Sequence, residues 1–308
     1  MFPPIYNTPI SDALCKEVAK RSKGVCFLGF SHGKDSVLAY LQLSRYFKRI
    51  IPFHCASVPH LKFVDAILDY YEYELQTKIL RLMGEDLAIS LKRLIYQDPR
   101  DVDSCFEEFG EVEDYNKLDI LEYLRKMYNL PRAWCAFGVN ASDSQDRRIY
   151  CNKTGGMSEI NRTFYPTWDW PRSEIVRALK ESGLKLAPEY KYAKRSIGGV
   201  PCATYNKILK EHFPDDYATY KKWYPLMDLK TRREAILDAR HKAALDAAAE
   251  ANGGKEPTEA AEAEAETVEH PGLFPSFEAP SEPEPNSRPD SGIYIAPINL
   301  AEDEDEEE

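Results

Sequence analysis

A chain of 308 residues with 43% hydrophobic and 30% charged side chains has enough apolar material for one α/β domain with a full core plus extensions. Seven cysteines, an odd number scattered without a C-x-x-C pair, argue against zinc or an iron–sulfur cluster and fit a reduced cytoplasm. No signal peptide or apolar run of about 20 residues marks the chain for export or a membrane span. The formal charge of −11 is unevenly spread: residues 253–308 carry 17 acidic and 2 basic side chains, leaving residues 1–252 at +4.

In chain order, the run VCFLGF at residues 25–30 reads as a buried parallel strand, and Val37, Leu38, Leu41 and Leu43 open an amphipathic helix. Residues 50–55 (IIPFHC) predict a second strand, residues 63–82 a helix with an aromatic face of Tyr70, Tyr71 and Tyr73, and residues 134–139 a later strand. Between them, residues 98–122 hold ten acidic side chains against Arg100 and Lys117, and the stretch 98–119 is expected to form a lid or helical insertion. Cys26 and Cys135 fall inside apolar strands as small core residues. Alternating strands and helices imply an α/β fold: a parallel twisted sheet flanked by helices, with ligand at the carboxyl ends of the strands. Phe53, His54 and Cys55 fall at such an end and are candidates for contact with a base or ribose, His54 otherwise serving as a strand-end polar residue.

Residues 172–242 hold 16 basic and 9 acidic side chains, a surplus that would draw phosphate-rich partners, nucleic acid among them, unless these side chains only solvate helices. Residues 231–252 form an Ala-rich helix beyond a domain spanning 1–230. Residues 253–308, rich in Pro, Glu and Ala, cannot bury enough surface to offset ordering entropy and are expected to be disordered. Apolar islands at 272–277 and 291–300 are candidate docking motifs for a protein partner, and the acidic tail could instead cover the basic part of its own chain.

The chemistry concentrates between the first strand and helix, at Ser31, His32, Gly33, Lys34, Asp35 and Ser36. Such a loop delivers an anion to a helix N-terminus, where unpaired N–H groups and the dipole face it and Gly33 lets the main chain approach. Lys34 adds a cation, the serines add hydroxyls, and Asp35 makes sense beside phosphates as a helix cap or a ligand to Mg²⁺. A Walker A loop does not fit, because three residues rather than four separate Gly29 from Gly33 and Asp35 follows the lysine.

The loop resembles the S-x-G-x-D-S pyrophosphate loop of the adenine-nucleotide alpha-hydrolase superfamily, with His32 where many members carry a second glycine. Residues 138–148 (GVNASDSQDRR) are similar to the G-x-R-x-x-x-S-x-x-R block of phosphoadenosine phosphosulfate (PAPS) reductases, with Gly138, Ser144 and Arg147 in register and Asn140 in place of the arginine. Residues 166–184 and 188–202 resemble that family's P-x-x-D-W and N-P-x-Y…G-C segments. Over about residues 22–228 the chain thus resembles the PAPS reductase-like family, which is frequent in bacteriophages, and a bacterial or phage origin follows.

The resemblance implies ATP with Mg²⁺ as cofactor, transfer of AMP to an unidentified acceptor and release of pyrophosphate. The loop would hold the β and γ phosphates, with Lys34 and Asp35 catalytic and Asp35 the metal ligand. Ser144, Arg147 and Arg148 would neutralise the α-phosphate or a sulfate, and Asp169 and Trp170 would brace the site. The C-terminal E-C-G-x-H of true sulfonucleotide reductases is absent, so reduction of PAPS would need Cys202, beside Lys194 and Arg195, as nucleophile. A third expectation is a non-catalytic nucleotide-binding adaptor that recruits partners through its tail.

Overall fold

The computed structural model describes residues 9–98, 115–197, 199 and 202–251. Most of the acid-rich stretch, and with it the expected lid, lies outside the described residues, as do the acidic tail and its docking motifs.

Among the described residues the sheet has six strands: β1 (Val25–Gly29), β2 (Arg49–Ala56), β3 (Leu80–Met83), β4 (Trp134–Phe137), β5 (Met157–Ser158) and β6 (Thr163–Phe164). They lie in the order β3-β2-β1-β4-β6-β5, all parallel except for the β5–β6 pair at one edge. The helices are α1 (Pro9–Arg21), α2 (Lys34–Leu43), α3 (Lys62–Leu75), α4 (Glu85–Lys92), α5 (Lys117–Met127), α6 (Gln145–Thr154), α7 (Arg172–Ser182), the single turn α8 (Tyr190–Ala193), α9 (Ala203–His212), α10 (Pro214–Trp223) and α11 (Asp228–Ala251). No helix among the described residues is long and apolar enough to cross a membrane.

The sheet is covered on both faces, which is why its central strands are continuous apolar runs. Cys26, Leu28, Trp134 and Ala136 point into one core with α1, α2, α3 and α7, whereas Phe27, Ile51, Phe53 and Cys135 point into a second core with α4 and α5. The two-residue period of each strand therefore assigns its neighbours to opposite layers. Cys26 and Cys135 are completely buried, as their place in the strands implied.

The predicted helix over 63–82 is two elements. Gln76 takes a left-handed conformation at φ 49° and ends α3, and Leu80–Met83 then pairs with β2 as the edge strand β3. The aromatic face is correspondingly split, with Tyr71 buried and Tyr73 73% exposed.

From β1 the chain winds outward through β2 to β3, then returns to place β4 on the other side of β1. The loops after β1 and β4 thus diverge at a topological switch point, where open parallel sheets leave a crevice for ligands.

Candidate functional site

The crevice is built by close approach of two main chains. Gly138, just beyond β4, packs on the first turn of α2 so tightly that a Cβ there would stand 2.4 Å from the Asp35 carbonyl carbon and 2.5 Å from Ser36 N. Only a glycine allows this contact, and it fixes the loop after β1 against the end of β4.

The loop is shorter than the sequence suggested, because α2 already begins at Lys34 with Gly33 as its N-cap. Ser36 is buried and its Oγ donates to the Gly33 carbonyl at 2.8 Å, so this hydroxyl closes the turn. Ser31 is exposed at the mouth. Lys34 Nζ lies 2.8 and 2.6 Å from the two Asp35 carboxylate oxygens, which makes a neutral pair on the first helical turn. His32 adopts φ 50°, the left-handed region that glycine enters without cost, which accounts physically for glycine as the alternative residue there.

Beside the loop, on the α4–α5 face, lies a cavity of about 270 Å³ lined by Gly29, Phe30, Ser31, Phe53, Cys55, Ser57, Gly84, Glu85, Asp86, Lys117, Ile120, Phe137, Gly138 and Val139. It opens beside the loop through Ser31 and is floored by Phe53 and Phe137, whose rings meet edge-on at 6.5 Å. Lys117, at the start of α5, holds its ammonium 3.8 Å from the centre of the Phe137 ring. Burial pushes the Cys55 thiol up to about 12, so it stays protonated, and burial together with neighbouring Asp86 raises the Glu85 carboxyl.

Phe53 and Cys55 line this cavity, whereas His54 does not. Strand alternation turns His54 to the opposite face, where it is buried and its Nδ1 donates to the Phe30 carbonyl at 2.9 Å. There it braces the loop from beneath, 5.4 Å from the His32 ring. Desolvation, helped by the nearby His32, lowers its pKa to about 3 and keeps it neutral.

Of the residues after Gly138, Asn140 and Ser144 act structurally. Asn140 is 1% exposed; its Nδ2 donates to the carbonyls of Trp170 at 2.8 Å and Thr167 at 3.3 Å, and its Oδ1 accepts from Ser142 N at 2.8 Å. This ties the β4 loop to the Trp168–Trp170 turn, which Asp169 anchors by accepting from the Ser11 hydroxyl. Ser144 caps α6, its Oγ accepting from Arg147 N at 3.2 Å. Arg147 pairs with Asp143 at 2.8 Å and is half exposed, Arg148 is exposed, and neither lines the cavity. Cys202 is partly buried at the N-terminus of α9 and also lies outside the cavity lining.

Sequence reasoning missed Glu85, Asp86, Lys117 and Phe137. Lys117 was findable, because Asn116 and Asp119 form a reciprocal capping box that marks the start of α5.

No family model matches this chain, and no curated protein sequence matches it. Among solved structures it is similar to the U34-tRNA thiolase NcsA from Methanococcus maripaludis with its [4Fe-4S] cluster. That pair shares 16% identity over 71% of this chain and 78% of the other, with a TM-score of 0.40. It is also similar to an NH3-dependent NAD synthetase from Campylobacter jejuni subsp. jejuni, at 15% identity over 73% of this chain and 93% of the other, with a TM-score of 0.37. The thiolase corrects one expectation: a similar chain carries an iron–sulfur cluster, so cysteine spacing no longer supports excluding one.

Proposed function

We propose that this chain is an adenine-nucleotide-dependent enzyme of the adenine-nucleotide alpha-hydrolase superfamily and, within it, of the PAPS reductase-like branch. The observation that carries this reading is the seating of a phosphate-type loop, Ser31 to Gly33 leading into α2, directly beside an aromatic-floored cavity at the switch point of a parallel sheet. A nucleoside fits the cavity against Phe53 and Phe137, with its phosphates leaving past Ser31 toward the amides at the start of α2.

ATP is the nucleotide this reading favours. An acceptor oxygen attacks the α-phosphorus, the bond between the α and β phosphates breaks, and pyrophosphate departs while AMP stays on the acceptor. Lys34 supplies a cation to the phosphates once it leaves Asp35, whose carboxylate is then available to a magnesium ion brought in by the nucleotide; such an ion needs only one or two protein carboxylates. Arg147 and Arg148, on the first turn of α6, are the candidates to meet charge at the α-phosphate. The basic surplus of residues 172–242 favours an anionic acceptor, nucleic acid among them.

The test is thermal unfolding of wild type and Asp35→Ala with ATP and Mg²⁺, PAPS or adenosine phosphosulfate. ATP at about 100 times its dissociation constant should stabilise wild type by about 2.7 kcal/mol, with the gain reduced in the variant. Preference for a sulfonucleotide would redirect the reading to reduction and to Cys202. No stabilisation by any of the three would refute nucleotide binding.

A further inference from the structure

The segment 186–197 crosses the anion loop as a strap. Glu189, wholly buried, uses one carboxylate oxygen twice: Oε1 lies 3.1 Å from His32 Nε2 and accepts from Ile197 N at 3.4 Å. One atom thereby pins both ends of the strap to the loop. Between these ends the α8 turn closes through Ala193 N donating to the Glu189 carbonyl at 2.8 Å, and Lys194 reverses the chain at φ 55°.

This geometry places two hydroxyls over the loop. Lys34 N donates to Tyr190 Oη at 3.0 Å, and a Cβ built on Gly33 would stand 3.2 Å from Ser196 Oγ and 3.4 Å from Tyr190 Oη. The first amide of α2, the kind of donor a phosphate oxygen takes, is therefore engaged by the strap. Burial raises the Tyr190 pKa, so the hydroxyl keeps a proton to donate. At the same junction His32 Nδ1 and Glu189 Oε2 are buried without hydrogen-bond partners, polar capacity that folding alone does not use.

We propose that Tyr190 and Ser196 are phosphate-contacting residues, their hydroxyls closing on the phosphates of a bound nucleotide from the side opposite α2. Tyr190 Oη marks the seat of a phosphate oxygen; when the nucleotide enters, that oxygen takes the Lys34 amide and receives the Tyr190 hydroxyl as a second donor. The His32–Glu189 contact holds the strap at the height where both hydroxyls reach. This assignment rests on the nucleotide reading above and adds to it a phosphate contact outside the loop.

The experiment is calorimetric titration of the full chain with ATP, inorganic pyrophosphate and adenosine, in wild type, Tyr190→Phe and Ser196→Ala. A hydrogen bond to a charged group is worth about 1.5–3 kcal/mol, so Tyr190→Phe should weaken ATP and pyrophosphate by roughly tenfold or more and leave adenosine unchanged. Ser196→Ala should act in the same direction and carries the test should the tyrosine variant melt early without ligand. Unchanged or tighter pyrophosphate binding in both variants would show the hydroxyls to be a plug rather than donors and overturn the assignment. Equal losses for adenosine and pyrophosphate would reduce them to a structural role and overturn it too. Wild type that binds none of the three ligands would sink the nucleotide reading and this assignment with it.

Discussion

Replacing Gly138 by alanine tests whether the two main chains of the crevice meet as described. The new Cβ would stand 2.4 Å from the Asp35 carbonyl carbon and 2.5 Å from both its oxygen and Ser36 N. Ordinary carbon contacts begin near 3.5 Å, so one chain must retreat by roughly 1 Å. All three atoms are backbone and cannot rotate aside, and overpacking of this kind costs about 1–3 kcal/mol. Against this, alanine restricts the unfolded chain and returns about 0.4–1 kcal/mol where the backbone suits it. The clash wins, leaving a net loss of about 1–2 kcal/mol in urea unfolding. Because the retreating segment includes the first turn of α2, nucleotide affinity should fall as well. Gly155→Ala is the control: at φ +63° it is strained, but its Cβ meets nothing within 4 Å, so it should cost stability without touching affinity. A Gly138→Ala protein as stable as wild type, with unaltered ATP binding, would refute the reasoning.

Two further perturbations separate bracing residues from ligand-contacting ones. His54 is held at about 3 in the folded chain against 6.5 when unfolded, so on acidification the unfolded state takes up the proton first. Stability should therefore fall as pH drops below about 6.5, by about 2 kcal/mol between pH 7.5 and 5.0. His54→Asn lacks this titration, and a gap in urea midpoint between wild type and variant that is identical at both pH values would contradict the assignment. Asn140→Arg, which installs the residue the family resemblance leads one to expect, should lower stability by about 3 kcal/mol or more, because a buried arginine cannot accept from Ser142 N. Thermal unfolding checks this, and an arginine variant that melts at the wild-type temperature would show that the side chain reaches solvent or ligand after all.

What could be read from the sequence was whatever follows from periodicity and local chain geometry. VCFLG is apolar without alternation because both faces of β1 are buried, and a small polar loop after such a strand leads into a helix in most arrangements of a parallel sheet. The end of α3 was not readable, because it rests on Gln76 in a left-handed conformation rather than on a glycine or proline. The same limit applies to His54: its residue type and strand-end position suit a ligand contact, and only the register of β2 decides which layer it enters. The cavity wall escaped because Glu85 and Lys117 lie 32 positions apart on separate helices and share no motif.

The block at 138–148 shows how a motif can align and yet divide its labour. Gly138 touches the anion loop directly, whereas Asn140 and Ser144 are spent on capping and bracing, and Arg147 is paired with Asp143. A half-exposed ion pair of this kind is worth at most about 1 kcal/mol, so a phosphate can draw Arg147 away from Asp143 at small cost. Nothing comparable releases Asn140, which is buried and holds four hydrogen bonds, two to main-chain carbonyls and two from Ser142. Of the charged positions in the block, then, the arginines on the first turn of α6 can follow a ligand, while the position occupied by asparagine cannot. On the nucleotide reading, the cation that the family motif would supply at position 140 is therefore missing, and Arg147 and Arg148 are left to meet the α-phosphate.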